Sequence, residues 1–422
     1  PAAHVFHVCM TVQNPDSKEQ LFSLPAWIPG SYLLREFAKN LGPITGRVGD
    51  EAIAVHKLDR NSWAVRGASG ALTLEYDVYA WDMSVRSAHL DQTHGYYNGT
   101  SVCLMAHGFE NEQHSVELIA PTDAKCADWK VATSLKRVSG DAWGFGHFES
   151  PDYDDLVDHP VEMGTFTLTS FEARGVPHHI AITGRHTCDL ERLCADLTVI
   201  CEHQIDMFGE LPKMDAYLFQ VMAVGNAYGG LEHRSSTSLV CKRDDLPQVG
   251  ETEVTEGYRQ FLGLCSHEYF HTWNVKRIKP AAFVPYRLRE ETYTPLLWLF
   301  DDPANGGWVA PTGSIAPMPL SSKPSTSRAG RFDLLVLDDS VIVDTTEQVG
   351  DFSGVTDADR DRLTVTEVEG TGGFDGVREG VAVVEDGPRS PFAFVGHHHI
   401  GLDLDARTDS FVDWEFIEAA PA

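Results

Sequence analysis

GYRQFLGLCSHEYFHTWNVK, residues 257–276, decides how the rest of this chain is read. Phe261, Leu262, Leu264, Tyr269, Phe270 and Trp273 give it the apolar density and length of a helix lying against a core. Inside it stands His267-Glu268-Tyr269-Phe270-His271, an HExxH motif. Residues four apart share one helix face, so both imidazoles can reach a single metal ion. Glu268, one position on, can hold and deprotonate the water activated there. Among 19 histidines in 422 residues, chance produces such a pattern on the order of a few per cent of the time. The apolar setting lowers that further, because histidines buried in such a run need partners. Zinc is the expected cofactor, with His267 and His271 as ligands and Glu268 as the catalytic base.

The residues before this helix change character near 160–175. In the first part, HVFHVCMTV (4–12), ALTLEYDVYAW (71–81) and TSVCLMA (100–106) alternate or are β-branched and aromatic, and turn residues separate them. The simplest architecture for residues 1–165 is an antiparallel β-sandwich. From residue 178 the pattern becomes α+β: HHIAITG (178–184) reads as a strand, and 189–209 as a helix with Leu190, Leu193, Leu197 and Ile200 on one face. YLFQVMAV (217–224) reads as a buried strand and LEHRSSTSLV (231–240) as an edge strand.

After residue 300 the composition shifts again. DDPANGG (301–307) breaks the helix that would continue LLWLF, and the Pro-, Ser- and Thr-rich residues up to 330 read as a linker from 303. Short β-like runs at 333–337, 341–343, 363–368, 381–384 and 392–396 then predict a small acidic β-rich module over 331–422. Its segment 365–387 faintly resembles a PDZ core. His397, His398 and His399 do not make a metal site, since alternation along a strand points only two of them to one face.

Charge divides the chain at the same place. The net charge is −29, from 33 Lys and Arg against 62 Asp and Glu. Residues 1–300 hold 39 acids and 25 bases, and residues 301–422 hold 23 and 8. Such acidity excludes nucleic acid and anionic membrane surfaces as expected partners, which need a cationic face. No run of about 18 apolar residues is present, so no membrane insertion is expected. The eight cysteines form no CxxC and read as scattered small hydrophobes; with no signal-peptide pattern at PAAHVFHVCM, a cytoplasmic location is the default expectation.

SHEYFHTWNVKRIKP (266–280) resembles the signature of the glycyl aminopeptidase family of gluzincin zinc metallopeptidases. LPAWIPGSYLLREFAKN (24–40), VYAWDMSVRSAHLDQTHGYYNGTSV (78–102), YDDLVDHPVEMGTF (153–166) and AYGGLEHRSST (227–237) extend the resemblance over residues 1–300. It implies an N-terminal β domain (1–165) followed by a thermolysin-like zinc peptidase portion (166–302). It also implies that Gly229, Gly230 and Glu232 bind substrate: the glycine-containing edge strand lies against the peptide and the carboxylate pairs with its free α-amine. A buried carboxylate suits an exopeptidase, because a mid-chain amide would leave it unpaired.

The third zinc ligand departs from the family pattern. Leu296 to Phe300 matches the helix whose Glu completes the site in the family, but the next residue here is Asp301, one methylene shorter, followed by Asp302 and Pro303. Asp301 is the ligand this implies. Glu290, 18 intervening residues past His271, and Glu291 rank below it. The helices that follow in the family, and the transition-state donor they carry, have no counterpart past 302. The expected activity is therefore zinc-dependent removal of N-terminal residues from peptides, glycine and alanine preferred. The alternative is a catalytically impaired peptidase fold acting as a peptide-binding or scaffold module.

Overall fold

The computed structural model describes residues 1–294 and, beyond them, the strands Gly330–Leu337, Ser340–Thr345, Leu363–Glu367, Arg378–Val384, Phe392–His397 and Asp413–Glu418. The N-terminal region is built of four antiparallel sheets. In Leu72–Tyr79 the side chains from Leu74 onward alternate between core and solvent, and the strand pairs with Val5–Val12 from Val5 opposite Tyr79 to Val12 opposite Leu72. Its inward residues Leu72, Leu74, Tyr76 and Val78 join Phe22, Leu24, Trp27 and Phe148 in one core. Period-two hydrophobicity produces such a half-buried strand.

Residues 100–106 do not form the expected strand. Asn98 Oδ1 accepts from both the backbone N–H and the hydroxyl of Thr100, which bends Gly99–Ser101 into a single 3-10 turn and leaves only Met105–Ala106 extended. Gly99 backs onto the Val157 backbone, where a side chain would collide. Val157 ends α1, a five-residue helix (Tyr153–Val157) capped by Asp152.

Residues 167–242 form a five-stranded mixed sheet in the order Thr167–Ala173, Val176–Thr183, Tyr217–Val224, Ser236–Lys242, Gly229–Glu232. The run 231–240, expected as one edge strand, divides into two antiparallel strands with Gly229–Glu232 outermost, Gly230 opposite Leu239. Helices α2 (Leu190–Phe208) and α3 (Glu256–Phe270) pack against this sheet in a second core that includes Leu193, Leu197, Ile200, Phe219, Tyr258, Phe261 and Tyr269. α2 matches its sequence signals: Asp189 accepts from Arg192 N, and Gly209 ends the helix at φ 84°. α3 stops six residues short of 276, at Phe270. There the chain tightens, with Thr272 N and Trp273 N bonding back to Tyr269 O and Phe270 O.

The strands beyond residue 330 lie in a seven-stranded sheet that begins with Ile278–Pro280, which pairs in parallel with Ser340–Thr345. The predicted β runs fall in these strands, and Asp413–Glu418 adds one that the hydrophobic pattern did not mark. Of the linker read at 303–330, all but Gly330 lies outside the described residues, as does most of the PDZ-like segment. All eight cysteines are free, five of them buried in the cores and two more packed against them. No helix among the described residues is long and apolar enough to cross a membrane.

Candidate functional site

Thr255 caps α3 by accepting from Tyr258 N. Two polar contacts then fix the helix in its apolar setting: Tyr258 donates its hydroxyl proton to Asp196 Oδ2 at 2.6 Å, and Gln204 Nε2 donates to Ser266 O and Oγ at 2.9 and 2.8 Å. His267 and Glu268 sit in the last turn, and His271 is the C-cap. The early end of the helix has a chemical consequence. His271 Nδ1 donates to Asn274 O at 2.7 Å, so the second ring nitrogen, Nε2, carries the lone pair. Burial holds this imidazole down to about 4, hence neutral.

His267 Nε2 and His271 Nε2 approach to 3.0 Å, their rings crossing at 85°. Two nitrogens bound at about 2.0–2.1 Å in tetrahedral geometry lie about 3.3 Å apart. The pair therefore fits one zinc ion. A second donor set, Glu232, Glu268 and His271, has its ligand atoms within 4.8 Å of one another. His271 is common to both donor sets.

Gly230 is what lets the edge strand meet α3. A Cβ there would run into the Glu268 carboxylate and push it out of this position. Glu232, two residues along on the same strand face, is 3 % exposed, and its Oε1 has no hydrogen-bond partner among the described residues. The other side of this carboxylate rests on Gly30, at φ 78°, from the loop of the N-terminal region. That loop is anchored by Ala26 N and Trp27 N, which both donate to Leu288 O, at 2.7 and 3.0 Å.

Behind Glu232 lies a buried ionic cluster. Asp158 accepts from Lys276 Nζ at 2.8 Å and His233 Nδ1 at 3.0 Å, and pairs with Arg234 Nε at 3.3 Å. Burial alone would raise its pKa, but Lys276, His233 and Arg234 hold it well below the usual carboxylate range. Arg234 also pairs with Asp154 and Asp155. The residues YDDLVDHP thus lock the strand carrying Glu232 and the turn after α3 to the N-terminal region.

The structure brings together Gly229, Gly230, Glu232, His267, Glu268 and His271. Asp301 lies outside the described residues. Glu290 is excluded as its substitute: it is exposed and paired with Arg287 at 3.9 Å. Glu291 is engaged with Tyr293 and likewise lies outside the donor cluster. Asp158, His233, Lys276 and Gly30 were not marked by spacing. Their signal was present only as the long family-like stretches 24–40 and 153–166.

A two-histidine helix end, its intervening glutamate and a glycine edge strand thus meet in one place. Residues 1–165 match the peptidase M61 N-terminal domain, and residues 260–302 match the M61 glycyl aminopeptidase. The crystal structure of an aminopeptidase N family protein from Idiomarina loihiensis is 43% identical, with a TM-score of 0.69 over 71% of this chain and 50% of that one. The chain thus spans about half the length of that relative. Legionella pneumophila aminopeptidase A, solved in complex with aspartic acid, aligns over 65% of this chain and 33% of its own at 12% identity and a TM-score of 0.42, too loosely to carry an argument. No curated protein matches the chain.

Proposed function

We propose that the protein is a zinc-dependent aminopeptidase whose thermolysin-like portion spans residues 166–302, joined by the linker 303–330 to an acidic β-rich module. The observation that carries this reading is the convergence of three features within a few ångströms: the facing Nε2 atoms of His267 and His271, the Glu268 carboxylate, and the Glu232 carboxylate, whose Oε1 has no partner among the described residues. His267 and His271 would hold the zinc, with Asp301 the proposed third ligand. Zinc, when bound, supplies a Lewis acid that polarises the scissile carbonyl and acidifies water. Glu268 accepts a proton from the attacking water as the C–O bond forms. It then delivers that proton to the leaving amine as the C–N bond breaks. Glu232 pairs with the α-ammonium, which fixes the scissile bond one residue from the N-terminus. A preference for glycine or alanine rests on the family alone.

The test is metal content together with Glu268→Gln. One zinc per chain and chelator-sensitive release of glycine or alanine from a chromogenic amide are expected. Loss of a general base should lower that release about 10²- to 10⁴-fold with zinc content unchanged. Zinc absent from freshly purified, folded protein would overturn the proposal. The second reading, a peptide-binding module without turnover, is favoured by one fact: the family match ends at residue 302. It predicts peptide binding that Glu232→Gln abolishes, with no release in the wild type.

A further inference from the structure

Four rings form a column outside the donor cluster. His4 lies against Trp81 at 3.9 Å between centroids, and Trp81 stacks on His89 at 4.9 Å. His89 stacks on His94 at 4.8 Å, the two imidazoles only 20° from parallel. Trp81 is exposed, whereas His89 and His94 are buried. The inner end of the column reaches the seam between the N-terminal region and the five-stranded sheet. His94 opens the strand His94–Tyr97, which pairs with Val161–Gly164. Its Nδ1 faces Glu162 Oε1 at 3.2 Å, and the same oxygen accepts from the Thr183 hydroxyl of the five-stranded sheet at 2.8 Å. Two residues on, the Tyr96 hydroxyl bonds Ser238 Oγ of that sheet at 2.9 Å.

The stacked pair takes one proton more readily than two. A carboxylate only accepts, so His94 gives its Nδ1 proton to Glu162, and His89 Nε2 faces Asp91 Oδ2 at 3.5 Å. The remaining ring nitrogens, His89 Nδ1 and His94 Nε2, are buried with no hydrogen-bond partner among the described residues. A neutral ring leaves only a lone pair there. A proton added at either makes a buried N–H without an acceptor, and protonating both sets two cations face to face at 4.8 Å. The charged and titratable groups facing the pair are Glu162 and Asp91, His4 behind Trp81, and Tyr96 with Arg86 beside it. Thr183, Gln220, Met222 and Ser238, from the five-stranded sheet, carry no charge. Burial opposes a proton on His94, but Glu162 and then Asp91 outweigh it and raise its affinity. On His89, burial and then His94 prevail over Asp91, and the affinity is lowered.

We propose that the stacked His89 and His94 form an acid-sensitive latch between the N-terminal region and the five-stranded sheet. A second proton drives the two imidazoliums apart, and the contacts of Glu162 with Thr183 and of Tyr96 with Ser238 open with them. Ser238 stands opposite Leu231, the neighbour of Glu232, so the latch closes on the strand pair that carries the candidate site. The opened form binds the His89 proton at the ordinary histidine value of about 6.5, and the closed form binds it more weakly. The closed form therefore loses ground as pH falls below about 6.5. His94 works the other way: its contribution is present below that value and fades as pH rises through its raised one. The acid response of the latch thus belongs to His89.

The experiment is hydrogen exchange of the full chain, read by mass spectrometry and corrected for the intrinsic pH dependence of exchange. Wild type is compared with His89→Phe, which keeps a ring in the column and removes its titrating nitrogens. The readout is the ratio of the two proteins' protection factors in peptides covering Val161–Gly164, Val176–Thr183 and Ser236–Lys242, so a general loss of stability in the variant cancels. Between about pH 7.5 and about pH 5.5 that ratio should fall about tenfold, as one proton bound tenfold more weakly by the closed form requires. His89→Gln should give the same fall, which keeps the test open if the phenylalanine variant folds poorly. A ratio that stays constant between the two pH values overturns the latch. So does a fall shared equally by the α2 peptides, which would mark general acid unfolding.

Discussion

Two buried carboxylates on either side of one strand end have opposite surroundings. Asp158 is enclosed by Lys276, His233 and Arg234, and every lone pair facing them has a cation or N–H donor. Glu232 is equally buried, yet one of its oxygens has no hydrogen-bond partner among the described residues. Burying a charge is costly unless it is paired. The described residues satisfy one carboxylate internally and leave one oxygen of the other without a partner. Burial alone does not distinguish structure from function here; pairing does.

The strongest way to break this contrast is Asp158→Asn. It leaves Lys276 and Arg234 facing a neutral amide in the interior, and removal of one partner from a buried ion cluster costs about 3–5 kcal/mol. Urea denaturation should register that loss, and a loss near zero would mean that the cluster is solvated. The same group makes the protein acid-sensitive. Its folded pKa is depressed, so its contribution is complete above the unfolded carboxylate value of about 3.9 and disappears as pH falls below it. The wild type should lose stability steeply below about pH 4–5, and Asp158→Asn should flatten that part of the curve.

Glu232→Gln should move stability the other way. Neutralising a buried carboxylate that lacks a partner relieves a desolvation penalty of about 1–3 kcal/mol, so the midpoint of unfolding should rise as the binding of amines is lost. A drop would mean that Glu232 is paired by the protein after all. The smallest effect is expected from Glu290→Gln. Its ion pair with Arg287 is exposed, and such pairs contribute little. Zinc content and melting temperature should both match wild type, and a fall in zinc would restore Glu290 as a ligand.

The same contrast explains what the sequence could and could not reveal. His267, Glu268 and His271 stand within five residues, so local spacing sufficed to mark them, whereas Gly229, Gly230 and Glu232 were marked only by the resemblance of AYGGLEHRSST to the family. α2 was equally legible, because its Asp189 cap and Gly209 stop are side-chain signals written at its ends. The end of α3 was not: it is set by His271 bonding to Asn274 O and by tight turns that propensity does not encode. The strand expected at 100–106 failed for a similar reason, since Asn98 captures the backbone that hydrophobic patterning had assigned to a ladder. Asp158 was out of reach altogether. It meets His233 from 75 positions away and Lys276 from 118, and the resemblance of 153–166 to a family stretch carried no role for any one residue.

Gly30 and Gly230 belong to separate regions of the chain, yet each presses bare backbone against a carboxylate of the site, Glu232 in one case and Glu268 in the other. Neither contributes a functional group. In a saturation-mutagenesis library both positions would nevertheless rank with His267 and His271 in intolerance. Their profile would differ in one respect, because even alanine would have to displace the carboxylate it meets, and at Gly30 would also adopt a φ of 78°. What is selected at these two positions is a volume of zero, a requirement that no chemical similarity scale expresses.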